Sequence, residues 1–233
     1  MLARRASGVQ AASVPNLALE CDDTSNAAVD FASNVFVTGS NDRSVTAWVY
    51  ITDSTSNNVV FMMGSDAAGS YTTWRIRAQG YLRIEFDGGG STSSLAIPED
   101  TWTFIAVVMD GPTHGDNTMY VNSSSEAASG STTIATSSAF AGLGHYSDNN
   151  AENVCLNGQL DDVRVYNRAL TGAELTTLYN NRGGAVVQSG LIGWYKFDEG
   201  TADTAASGTD SIIDSSGNGN HGTPYNSPYY RAV

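Results

Sequence analysis

The sequence predicts an all-β protein of many short strands, and three observations carry that reading. Gly, Ser, Thr, Asn and Asp are abundant and gather between short apolar runs, as turn chemistry does. Those runs are rich in Val, Ile, Phe, Tyr and Trp, and several alternate with polar residues in the manner of a half-buried strand. Long apolar patterns of helical period are missing, which disfavours a bundle or a βαβ fold. At 233 residues the chain can bury a full core, and an all-β sandwich of that size is commonly one domain.

The charge balance narrows the partners. Eleven basic residues face 24 acidic ones, a formal net charge of -13, which phosphate backbones and anionic lipid repel. Neither nucleic acid nor membrane insertion is expected, and no run approaches the roughly 20 apolar residues of a membrane span. Met1–Ser13 has the basic start of a signal peptide without the continuous apolar region that should follow, so export by that route is not expected. Cys21 and Cys155 are too few for a disulfide-dense scaffold; two buried thiols are expected ahead of one bridge.

In chain order, residues 1–13 are an Arg-containing, otherwise small-residue arm that cannot build a core, expected to dock on the domain or on a neighbouring chain. Leu17–Asp23 and Ala28–Phe31 read as short strands around a polar turn. Ser44–Ile51 alternates strictly, with Val45, Ala47, Val49 and Ile51 on one face and Trp48 a partly covered aromatic on the other. Asn58–Met63, Thr73–Ala78 and Tyr81–Asp87 follow between Gly-rich turns, and Gln79-Gly80 suits a hairpin. Trp102–Met109 is nearly continuously apolar, as in a strand buried on both faces. Met119–Asn122 and Gly142–Tyr146 are further strands.

Gly158–Tyr179, GQLDDVRVYNRALTGAELTTLY, brings strand, turn, cap and helix signals together in order. Leu160, Val163 and Val165 form the apolar half of a strand that also carries Asp161, Asp162 and Arg164. Thr171 and Glu174 are spaced as a capping box, and Leu175, Leu178 and Tyr179 share one helical face. This stretch resembles the C-terminal end of LamG-like (laminin G-like) modules. Other runs resemble the same family: Leu17–Asp23, with Cys21 where Phe is usual, Ala28–Phe31, Ser44–Ile51, Trp102–Met109, Met119–Asn122, with Ser123 where Gly is usual, and Gly142–Tyr146. The resemblance implies a two-sheet antiparallel jelly-roll sandwich, concanavalin A-like, over roughly residues 16–223, with one short helix near 171–179.

One piece is out of order. Gly190–Gly200 and Asp214–Thr223 resemble the first strand and first loop of such a module, which should precede Leu17. What remains is too short for a second sandwich. Leaving Trp194, Tyr195 and Phe197 uncovered would expose an apolar strand with free edges. The segment is therefore expected to complete the single module, as a circular permutation within the chain ahead of donation to a neighbouring subunit; excision from a tandem array is the third explanation. The organisation expected is an arm at 1–13, one domain at 14–223 with 190–223 supplying the first strand and loop, and a tail at 224–233.

Candidate chemistry is sparse. Glu85-Phe-Asp87 lacks the second glutamate that a glucan-cleaving pair requires, so no catalytic residue is assigned. His114, His145 and His221 lack metal-ligand spacing and read as surface residues. A structural Ca2+ is the sharper expectation, held by Asp161, which the resemblance places at a metal position, with Asp214, Asn218 and Asn220 of a Gly-rich loop. The plainer reading is that these side chains cap their own turns. Tyr71, Trp74, Tyr146 and Tyr225, in or beside loops, are candidate saccharide-stacking residues, although loop tyrosines also serve protein interfaces.

Two functions fit. The first is a non-catalytic decorating protein on the outside of an assembly, most plausibly a virion, joined to protein subunits or to its own copies and contributing to glycan or host-surface attachment. The second is a carbohydrate-binding or adhesion module of a bacterial extracellular protein. A hydrolase is the third and least supported.

Overall fold

In the computed structural model the residues described are 16–22, 24–32, 35–64, 73–86, 89–146 and 154–233. The arm at 1–13 and Tyr71 lie outside them. The strands, in chain order, are β1 (Leu17–Cys21), β2 (Ala28–Asp30), β3 (Arg43–Ile51), β4 (Val59–Gly64), β5 (Thr73–Ala78), β6 (Tyr81–Phe86), β7 (Gly89–Ala96) and β8 (Thr103–Met109). They continue with β9 (Asn117–Val121), β10 (Ser124–Ala127), β11 (Ala141–Leu143), β12 (His145–Tyr146), β13 (Val154–Cys155) and β14 (Gly158–Tyr166). After helix α1 (Gly172–Tyr179) come β15 (Leu191–Tyr195), β16 (Thr223–Tyr225) and β17 (Tyr229–Ala232).

Two antiparallel sheets face one another. The first runs β10-β9-β8-β3-β14-β1-β17 with β15 also paired to β14, and the second runs β16-β2-β11-β4-β5-β6-β7. β12 and β13 pair antiparallel as a separate two-stranded sheet. The core between the sheets takes alternate residues from each, Val45, Ala47, Val49 and Ile51 from β3 against Trp74, Ile76, Ile84 and Phe86 from β5 and β6. A second apolar cluster lies on the opposite face of the first sheet, where Leu175 and Leu178 of α1 cover Phe104, Ala106 and Tyr166. Every residue of β8 is therefore buried, which explains its unbroken apolar run.

The helix starts as its sequence requires: Glu174 N donates to Thr171 Oγ1 at 3.3 Å, and Thr171 N donates to Glu174 Oε2 at 2.9 Å. The paired aspartates of β14 sit at an irregularity in its pairing with β3, and Asp162 has φ 47°. Both carboxylates meet the segment after the helix. Asp161 Oδ2 accepts from Arg182 Nε at 2.6 Å, while Asp162 Oδ2 accepts from Gly183 N at 2.9 Å.

Within this one chain β15 pairs with β14, β16 with β2 and β17 with β1. The stretch expected as a tail at 224–233 is no tail. It supplies part of β16 and all of β17, because Tyr230 is an inward-facing core residue, 5 % exposed. Two histidines also depart from expectation. His114 is buried against Phe86, with ring centroids 3.7 Å apart, and His145 is buried beside Phe140 and Tyr225. Desolvation holds His114 below its ordinary pKa. His221 is half-buried and accepts from Asp214 N at 3.0 Å through Nδ1. The two cysteines are buried free thiols, and burial pushes the Cys21 thiol far up.

Candidate functional site

The outer face of the second sheet is built by register. Directly opposed residues share a face, and Val29, Trp74, Ile76 and Ile84 point to the core, so their neighbours point out. One outward row crosses all seven strands: Thr223, Asp30, Gly142, Met62, Arg75, Glu85, Gly90. Tyr225, opposite Ala28, stands beside the start of this row.

At that end the face is aromatic. Tyr225, 44 % exposed, stacks on His145 with centroids 5.2 Å apart and planes at 21°. His145 meets Phe140 edge-on at 5.5 Å. Phe140 lies over Gly142, where an added Cβ would come within 2.7 Å of its ring. His145 Nε2 donates to Asp30 Oδ1 at 2.6 Å, and the Asp30 side chain is 38 % exposed. An open ring, an ordered imidazole behind it and an accessible carboxylate below make a small stacking and hydrogen-bonding platform.

At the other end the face is ionic. Glu85 forms ion pairs with Arg75 at 3.0 Å, Arg77 at 2.9 Å and Arg83 at 2.7 Å. Arg77 also donates to Asn57 Oδ1 at 3.1 Å and Arg83 to Thr92 Oγ1 at 2.6 Å. Glu85 thus holds three guanidinium groups in one fixed array.

The sequence-predicted residues separate. Tyr225 lies on this face, and Tyr146 follows His145 in β12, its backbone paired with Val154. Trp74 is corrected: it shares the core parity of Ile76 and Ala78, is 0 % exposed, and donates through Nε1 to Asn117 Oδ1 at 3.1 Å. No sugar reaches its ring. Asp30, Phe140 and His145 were missed; the alternation of Ala28–Phe31 already turned Asp30 outward, but nothing in the sequence put Tyr225 beside it.

The residues assigned to Ca2+ do not fit the ion. Asp214 Oδ1 accepts from Trp194 N at 3.0 Å and Ser216 N at 2.8 Å, and Oδ2 accepts from Ser216 Oγ at 2.8 Å and Asn220 N at 3.0 Å. That occupies the carboxylate's four lone-pair positions. The amides of Asn218 and Asn220 donate to Leu191 O at 3.0 Å and Ile192 O at 2.7 Å, fastening the loop to β15. Asp161 faces Arg182, itself stacked 4.0 Å above the Trp102 ring. Burial pushes the Asp161 carboxyl up to about 6, against the pull of Arg182. Among the described residues no three His, Cys, Asp or Glu side chains group to hold a metal ion.

Solved structures share the fold. A candidate carbohydrate-binding protein from Bacteroides ovatus superposes with TM-score 0.64 at 18% identity, over 94% of this chain and 60% of that one. The chain thus spans about 60% of the length of that protein. A heptameric SAP-like pentraxin from Limulus polyphemus gives TM-score 0.53 at 13% identity, over 72% of this chain and 84% of that one. The CBM40 of a Ruminococcus gnavus IT-sialidase, bound to α2,3-sialyllactose, gives 0.54 at 10% identity, over 70% and 96%. At these identities the likeness is one of fold. A search among curated proteins finds no match. The jelly-roll expectation holds, and the sequence profile matching residues 23–176 places the chain as a member of the concanavalin A-like lectin/glucanase superfamily.

Proposed function

We propose that the protein is a non-catalytic glycan-binding module that holds a saccharide on the outer face of its second sheet. The observation that carries this reading is the exposed Tyr225 ring, stacked on His145 while His145 is fixed by Asp30. Tyr225 offers its face to the apolar side of a sugar ring, and Asp30 accepts from hydroxyl groups at its edge. Binding rather than hydrolysis is favoured because Glu85 is neutralised by arginines and the Asp161–Asp162 pair is engaged by Arg182, Arg164 and Gly183. Similarity to a candidate carbohydrate-binding protein and to a sialyllactose-bound module supports the same reading. A place at an outer surface, on a bacterial cell or a virion, suits such a module; the virion itself remains an expectation of the sequence alone, and so does assembly with protein subunits.

A glycan array followed by calorimetry on the best hit tests it. Tyr225→Ala and Asp30→Asn are each expected to weaken binding by about tenfold, the equivalent of about 1.4 kcal/mol, with the melting temperature little changed. Wild-type affinity in both folded variants would remove the site from this face.

A further inference from the structure

We infer that the segment after β15 builds a second site, for a neutral sugar residue, in a cleft that shares no lining residue with the Tyr225 face. The cleft, about 470 Å³, lies between the 199–207 segment, Ser211–Ile213 and β17. That volume is within the roughly 300–1,000 Å³ of small-molecule sites.

The walls are ordered from below. Asp203 N donates to Tyr230 O at 2.8 Å, Tyr230 N to Thr204 O at 2.9 Å, and Ala206 N to Pro228 O at 2.7 Å, so the segment rides on β17. Gly200 lies flat on the Tyr230 ring, where any Cβ would collide with it. Glu199 reaches across the cleft: its Oε1 accepts from Ile213 N at 3.1 Å and from Tyr230 Oη at 3.4 Å.

The chemistry of the lining selects the ligand. Ser211 Oγ is buried with no hydrogen-bond partner, an unsatisfied hydroxyl in the wall of the cleft. Thr201 and Ser207 add hydroxyls at the rim, and Ile213, 40 % exposed, adds an apolar patch. Hydroxyl and apolar groups in one wall suit the hydroxyl and CH surfaces of a sugar ring. The lining carries no basic side chain, so an anionic ligand would meet Glu199 uncompensated. Desolvation by the cleft walls holds the Glu199 carboxyl above its ordinary pKa.

The test is an amide chemical-shift titration of the full chain with D-glucose, D-galactose, D-mannose and L-arabinose, with N-acetylneuraminic acid as the anionic comparison. At least one neutral sugar is expected to shift the amides of Gly200, Ser211 and Ile213. Ser211→Ala and Glu199→Gln are expected to weaken that response by about tenfold. Tyr225→Ala is expected to leave it intact, so failure of the Tyr225 face and failure of the cleft are read separately. The assignment is overturned if none of the four sugars moves these amides, if the anionic sugar alone does, or if both cleft variants titrate like the wild type.

Discussion

Asp162 anchors more of the molecule than any other carboxylate on the first sheet. Its Oδ1 accepts from Arg164 Nε at 2.8 Å and Trp194 Nε1 at 2.6 Å, and its Oδ2 from Gly183 N at 2.9 Å. Arg164 is 0 % exposed and its remaining donors go to Gly184 O and Val186 O. Removing one partner of a buried pair leaves the other charge uncompensated, so Asp162→Ala is expected to cost about 3–5 kcal/mol in denaturant unfolding. Asp161→Ala is expected to cost less, because Arg182 is 20% exposed and keeps its stacking on Trp102. Equal losses in the two variants would mean that the carbonyls of Gly184 and Val186 alone hold the Arg164 charge. The sequence marked the two aspartates as unusual but could not say why. Their partners lie some twenty residues on, and the bend at Asp162 that turns both carboxylates toward them is a backbone fact, not a compositional one.

At the scale of the element, local rules were legible and longer ones were not. The capping box at Thr171 and Glu174 was readable because both halves lie within one turn. Its third member was not. Arg168 clamps Glu174 with contacts of 2.6 and 3.0 Å, and this pair, with the Thr171 N–H and hydroxyl, holds the Glu174 carboxyl down at about 2. A carboxyl depressed in the folded state from an ordinary 4.5 stabilises fully above that value, and the contribution is lost as the pH falls toward 2. Thermal melts of Glu174→Gln are therefore expected to show a deficit of about 1 kcal/mol at neutral pH that closes with acidification across that window. A deficit that stays constant with pH would assign the effect to the cap's shape instead of its charge. Trp74 shows the opposite case: the strand alternation carried the right answer, since Trp74 has the parity of Ile76 and Ala78, and its nearness to a loop misdirected the functional reading.

For the whole molecule, the C-terminal segment completes both sheets and carries residues of both proposed sites. Its resemblance to an opening strand was legible, but its neighbours were not: Tyr225 meets Ala28, and Tyr230 meets Leu19, across nearly the full length of the chain. The same segment supplies Tyr225 to the outer face of the second sheet and Glu199, Ser211 and Tyr230 to the cleft. Pairing of β15, β16 and β17 within their own chain makes folding unimolecular, so the melting temperature is expected not to change with protein concentration. Donation of the segment to a neighbour would instead couple melting to association and raise the midpoint as concentration rises. Truncation after Gly190 gives the complementary reading. It strips Tyr195, Phe197, Ile212 and Tyr230 from the core and opens the edges of β14, β1 and β2. The shortened chain is expected to lose its cooperative transition and aggregate, and to regain both solubility and that transition when residues 191–233 are added back as a separate peptide. A shortened chain that melts cooperatively on its own would show that the two sheets close without the segment, and that its place in the fold is the attachment of binding sites rather than the completion of a core.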